Sequence, residues 1–217
     1  MLELGGIALL PEWPVFVSFA VAGLALNIVP GADMTFVIAS SARGGRREGI
    51  IAALGIGAGA LVHVVAATLG ISAVLESSQA AFDLIKWLGA AYLLWIAFSL
   101  LRPREAAAGT GVRPSGVGWR LFRAAMMVNI LNPKVALFFL AFLPQFVDPD
   151  AAVPALQILF LGLWFDLVGT LVNIIVALTA AGMAARIGRH RLAGRIARWV
   201  AATAIAGLAV QLALSRR

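Results

Sequence analysis

Asn27-Ile28-Val29-Pro30-Gly31-Ala32-Asp33 and Asn129-Ile130-Leu131-Asn132-Pro133-Lys134 decide the fold. Each falls near the middle of a hydrophobic run long enough to cross a bilayer. A proline at that depth removes a backbone donor, and hydrocarbon offers the stranded carbonyl no replacement. Such breaks persist only where protein or a water-lined cavity supplies partners. Two of them, in corresponding halves of one membrane protein, mark a path for a transported molecule.

Composition agrees. Of 217 residues, 62% are hydrophobic and 12% charged, and the mean hydropathy is +0.97. Soluble domains carry about twice that share of charge, so the class is a multi-pass, all-α membrane protein. At ~20 residues per crossing, the length accommodates about six spans with short loops and no soluble domain. The absence of cysteine excludes thiol catalysis, disulfides and thiolate metal sites. Residues 1–12 hold Glu3 and Glu12 and lack a basic start, so no cleavable signal peptide is expected and the first span serves as its own insertion signal.

Six spans are predicted at about 14–41, 49–75, 83–101, 123–147, 153–182 and 199–215. Arginines crowd the odd connections: Arg43, Arg46 and Arg47, then Arg102, Arg104, Arg113, Arg120 and Arg123, then Arg186, Arg189, Arg191, Arg195 and Arg198. The even connections hold Lys86 against Glu76, Asp83, Asp148 and Asp150. The positive-inside rule then puts the odd connections in the cytoplasm and both termini outside. Arg216 and Arg217, at the outer end, dissent. The linker 109–118, rich in glycine, divides a single transporter domain, 1–217, into halves of about 1–108 and 119–217. Three spans per half is an odd number, so a repeat across the linker is inverted in the membrane. The first and fourth helices would be the broken ones.

Four ionisable residues lie at depth: Asp33, His63, Lys134 and Asp166. Each costs roughly 2.5–3.5 kcal/mol on insertion scales, so each is expected to face protein or water with a partner. Asp33 follows Pro30 and Gly31 into a restarting helix, where a carboxylate is stabilised by free amides. It either caps the break or meets a substrate's charge. Asn27, one turn before the proline, is placed to satisfy the released carbonyls. Asn129, Asn132, Pro133 and Lys134 form the second half-helix start, the other side of a substrate site. His63 shares a face with Gly55 and Gly59, a small-residue seam for close helix approach. It is expected to face protein, either as a structural donor or in proton coupling, since imidazole titrates near neutral pH. Asp166, Thr170 and Asn173 recur at helical spacing, a polar stripe that reads as the wall of an aqueous path. Asp166 is either a proton carrier or the salt-bridge partner of Lys134.

Several blocks resemble the LysE/RhtB family of amino-acid exporters. They are Pro30-Gly-Ala-Asp-Met34, Ala42-Arg-Gly-Gly-Arg-Arg-Glu-Gly49, Ala53-Leu-Gly-Ile-Gly57 with Leu61-Val-His63, Lys86-Trp-Leu-Gly-Ala-Ala-Tyr-Leu-Leu-Trp95, and Leu131-Asn-Pro-Lys134 running on to Phe146. The matches occur in order over about the first two thirds of the chain. The resemblance implies a bacterial inner-membrane exporter of amino acids or related metabolites, driven by proton entry. It carries a binding role onto Pro30, Gly31, Asp33, Asn132, Pro133 and Lys134. It does not extend to Asp166. One departure is Ala32, where the family commonly has a second proline.

The expected partners are a small-molecule substrate, protons and membrane lipids; a homodimer is compatible with the chain. No phosphate-loop motif occurs, and no cofactor is called for. The basic run 186–199 fits an anionic membrane surface, not nucleic acid. Trp13, Trp87, Trp119 and Trp199 sit near span ends as interfacial anchors. A membrane enzyme would need a nucleophile–base pair or a metal cluster, and His63 and His190 are the only histidines. The alternative within transport is a divalent metal-ion exporter, with Asp33, His63 and Asp166 as ligands.

Overall fold

The computed structural model describes residues 3–4, 7–8, 11–77, 117–148 and 151–183, with Trp87, Ala91 and Phe98 singly. The expected sixth span, all but those three residues of the expected third, most of the linker and the basic run 186–199 lie outside these residues. Apart from an antiparallel pairing of β1 (Glu3–Leu4) with β2 (Ile7–Ala8), every described element is helical.

Helix α1 (Trp13–Ile28) carries Pro14 in its first turn, where a missing N–H is harmless. It stops as expected at the first break, where Val29 turns extended (φ −64°, ψ 118°). Helix α2 (Ala32–Ser77) restarts at once, with Asp33 in its first turn. Gly45, at φ 72°, interrupts it. Residues eight apart on a straight helix are about 12 Å apart, yet Ser41 Oγ lies directly over Gly49. The chain therefore reverses at Gly45, and arms 32–44 and 46–77 run side by side. Positive φ suits glycine there, and a Cβ would meet no described side chain within 4 Å, so conformation and not crowding calls for glycine. Residues 32–70 are apolar enough to cross a membrane, but the reversal leaves 46–70, about 37 Å of helix, as the straight crossing segment.

In the second half, α3 (Trp119–Ile130) and α4 (Pro133–Leu137) are separated by the second break. The helical path continues through a π turn, Phe138–Phe142, and a 3₁₀ turn, Leu143–Phe146. Together the two pieces form one bent path, turned by 48°, apolar enough as a pair to cross a membrane as a broken span or to enter it as a re-entrant loop. Pro144 lacks the N–H that would bond the Leu140 carbonyl, which accounts for the loosened winding before it. Helix α5 (Pro154–Met183) is the second long apolar helix. Buried Gln157 ties its start to the end of the bent span by accepting the Asp148 N–H at 2.9 Å. Trp13 and Trp119 begin α1 and α3 and are exposed, as interfacial anchors would be.

These helices bury two separate apolar clusters. One joins Phe19 and Leu26 of α1, Val64 of α2, Phe138 and Phe139 of the bent span, and Phe165 of α5. Phe138 and Phe165 stack at its centre, with ring centroids 3.9 Å apart. The other joins Phe36, Val37, Ala52 and Ile56 of α2 with Leu121 and Ala125 of α3 and Ala177 of α5. Every helix path crosses from one cluster to the other. Asp33, His63, Lys134 and Asp166, the ionisable residues at depth, fall between the crossings.

Candidate functional site

The layer between the clusters collects most of the residues singled out from sequence. Along the first path it holds Pro30, Gly31 and Asp33; along α2, Gly57, Gly59 and His63. The bent span contributes Asn129, Asn132, Pro133 and Lys134, and α5 contributes Asp166, Thr170 and Asn173. Both breaks therefore meet in one place.

Their side chains interlock. Asn129 Nδ2 donates to Asp33 Oδ2 at 3.0 Å. His63 Nε2 donates to the Asn129 carbonyl at 3.2 Å; a carbonyl only accepts, so this nitrogen carries the hydrogen. Phe139 stacks on the imidazole, centroids 5.9 Å apart. Asn132 caps α4 by accepting the Lys134 N–H at 3.0 Å, with Pro133 at the first helical position. The Lys134 ammonium reaches back across the site to donate to the carbonyls of Leu26 at 2.8 Å and Val29 at 3.0 Å. The ammonium passes beside Gly31, where even a Cβ would lie at ordinary contact distance, 3.6 Å from Nζ. Asp33 is the carboxylate whose charge reaches Lys134.

Three buried polar atoms in this knot have no hydrogen-bond partner among the described residues: Asp33 Oδ1, Asn129 Oδ1 and Asn132 Nδ2. The Asn132 amide bears on Asp33 electrostatically, but without the geometry of a hydrogen bond. Two acceptors and one donor are left open where the half-helices meet.

The small-residue seam does what its spacing predicts. A Cβ on Gly55 would lie 2.8 Å from Ala125 Cβ, and one on Gly59 would lie 2.6 Å from the Met126 carbonyl oxygen and 2.8 Å from Asn129 Cβ. Helix α3 is thus seated on α2, and His63, one turn beyond Gly59, arrives at the break. Gly70, further along the same face, meets nothing described within 4 Å.

Asp166 stands apart from this knot. It accepts from Thr170 Oγ1 at 3.3 Å and faces Gly57, whose Cβ would come within 3.4 Å of Asp166 Oδ1. Among the described residues no ion pair joins it to Lys134, so the salt bridge weighed from sequence does not form: the ammonium is spent on backbone carbonyls one break away. Asn173, one turn beyond Thr170, is buried on the same stripe. Asn27 also differs from expectation. Its amide donates to the Phe165 carbonyl at 3.3 Å and packs on Gly169, tying α1 to α5. The released carbonyls go to Lys134 instead. Gly169 escaped the sequence reading, and Gly57 entered it only within a family block, because each lies off the four-residue seam. Only a polar residue on another helix gives them meaning.

Asp33, His63 and Asp166 gather into no group of three metal-ligating side chains among the described residues. A transported divalent ion is therefore not favoured.

The chain matches the model of the LysE type translocator family over residues 24–216. It is 31% identical over 189 residues to a homoserine/homoserine lactone efflux protein of Salmonella typhimurium, covering 87% of this chain and 84% of that one. It is 27% identical over 157 residues to a leucine efflux protein of an Enterobacter species, covering 70% and 73%. An uncharacterized membrane protein of Vibrio cholerae shares 31% identity over 176 residues, 81% of this chain and 83% of the other. No solved structure matches. Family match, membrane-spanning helices and paired breaks agree: the chain belongs to the LysE type translocator family.

Proposed function

We propose that the protein is a secondary exporter of amino acids or closely related small metabolites across the bacterial inner membrane, coupled to proton entry. The observation that carries this reading is the meeting of both helix breaks in one polar layer between two apolar clusters. Unwound backbone at membrane depth is what translocators use to hold polar cargo. The open acceptors Asp33 Oδ1 and Asn129 Oδ1 suit an ammonium group, and the open donor Asn132 Nδ2 suits a carboxylate or carbonyl oxygen. Pro30, Gly31 and Pro133 shape the half-helix ends; Asn27 and Lys134 hold them.

In this reading Asp166, on the stripe with Thr170 and Asn173, exchanges the coupling proton, and His63 links it to the breaks. The full chain has six spans in two inverted halves, with both termini outside. Relatives described as homoserine and leucine efflux proteins support cargo of this size and charge. The test is metabolite profiling of medium from cells overexpressing the chain against cells overexpressing a Pro30→Ala, Pro133→Ala variant at matched membrane abundance. Amino acids or their derivatives should accumulate outside only with the parent. Equal profiles would sink the proposal.

A further inference from the structure

In an α-helix the carbonyl of residue i−4 receives the N–H of residue i, and a proline at i removes that donor. Pro30 therefore denies the carbonyl of Leu26 its usual donor, and Pro133 denies that of Asn129 its own, although the Asn132 N–H reaches Asn129 O. The structure fills both, each from the opposite half of the chain. Lys134 Nζ donates to Leu26 O at 2.8 Å, and His63 Nε2 donates to Asn129 O at 3.2 Å. Neither side chain lies on the helix it serves. The fits differ in detail: Lys134 also takes Val29 O at 3.0 Å, and Asn129 O also accepts the Asn132 N–H at 2.9 Å.

We propose that Lys134 and His63 are positioning residues that stand in for the amide each proline lacks, so that each half holds the other half's break open. A buried carbonyl at membrane depth needs some donor, and one such match would carry little. Two matches to the i−4 position, reciprocal between halves and made by two of the ionisable side chains at depth, are a design. This accounts for why Lys134 ignores Asp166. It also fixes the hydrogen on His63 Nε2 while the bond lasts, since a carbonyl only accepts. The inference rests on the reading that the breaks form the transport site. Its test is made on stability, so either idea can fail alone.

The full-length protein, purified in detergent, is carried through thermal-unfolding cycles. Lys134→Met should lower the midpoint by about 4 °C or more in the parent. It should cost half as much or less in a Pro30→Ala background, where the new N–H can bond Leu26 O. His63→Leu should behave likewise with Pro133→Ala. The crossed pair, Pro30→Ala with His63→Leu, should be additive. His63→Gln keeps a donor without an ionisable ring, and its unfolding midpoint should stay within about 1 °C of the parent. Additive cognate cycles, or His63→Gln no better than His63→Leu, would overturn the proposal. If Lys134→Met alone fails to accumulate, recovery of folded protein on adding Pro30→Ala supports the pairing, and failure to recover overturns it.

Discussion

A glycine series along α2 (Ala32–Ser77) tests the packing that brings the breaks together. At Gly59 a new methyl would sit 2.6 Å from the Met126 carbonyl oxygen and 2.8 Å from Asn129 Cβ. Carbon–carbon contacts settle at about 3.5–4.0 Å, so α3 must retreat by roughly 1 Å. Backbone cannot swing aside as a side chain can. The same retreat would stretch His63 Nε2 to Asn129 O from 3.2 Å and Asn129 Nδ2 to Asp33 from 3.0 Å, taking both out of hydrogen-bonding range. Overpacking of this kind costs about 1–3 kcal/mol, and two interhelical hydrogen bonds in a membrane add about 0.6 kcal/mol each. Alanine's better helix propensity returns about 1 kcal/mol.

Gly59→Ala should therefore destabilise by about 1–3 kcal/mol, a fall of about 3–10 °C in the unfolding midpoint for a chain this long. Gly57→Ala should cost less. Its obstacle is the Thr170 hydroxyl, which can rotate to a second helical rotamer. Gly70→Ala, with nothing described within 4 Å, should be neutral or slightly stabilising. Thermal unfolding of the three variants in detergent, beside export by each at equal abundance, reads the order. Equal midpoints for Gly59→Ala and Gly70→Ala would refute the seam and its link to Asn129.

Three further outcomes are expected. Pro30→Ala with Pro133→Ala should leave the protein inserted at normal abundance but export poorly, because two continuous helices leave no half-helix ends; undiminished export would make the breaks packing features only. Asp166→Asn should abolish efflux driven by a pH gradient while leaving the stability within about 1 kcal/mol of the parent, since Asp166 partners Thr170 and not Lys134; pH-driven export at the parental rate would remove Asp166 from coupling. The cysteine-free chain permits single introduced cysteines: an impermeant thiol reagent on intact cells should label position 148 and spare positions 46, 113 and 191, and the reverse pattern would invert the orientation.

Much of the site was legible because membrane depth makes polar residues and prolines conspicuous. Asn27, Pro30, Asn129 and Pro133 mark the breaks by type alone, and Gly55 with Gly59 names the face that carries His63 to them. What the sequence could not supply was the pairing. Charge arithmetic offers Lys134 either aspartate, and only the three-dimensional path shows that its ammonium is held by Leu26 and Val29. Backbone carbonyls are invisible in a list of side chains, yet at a proline break they are the groups in greatest need of a donor. Asn27 makes the same point from the other side. One turn before Pro30, it looked like the local remedy, but its helical direction turns it onto Phe165 and Gly169 of α5. The remedy comes from across the molecule. A break satisfied locally would be a fixed kink, whereas one satisfied by a residue in the other half changes whenever the halves move relative to each other. Exchange of Lys134 and His63 between backbone carbonyls and the open acceptors Asp33 Oδ1 and Asn129 Oδ1 would then tie the geometry of each half-helix end to the position of the opposite half, the coupling that alternating access requires.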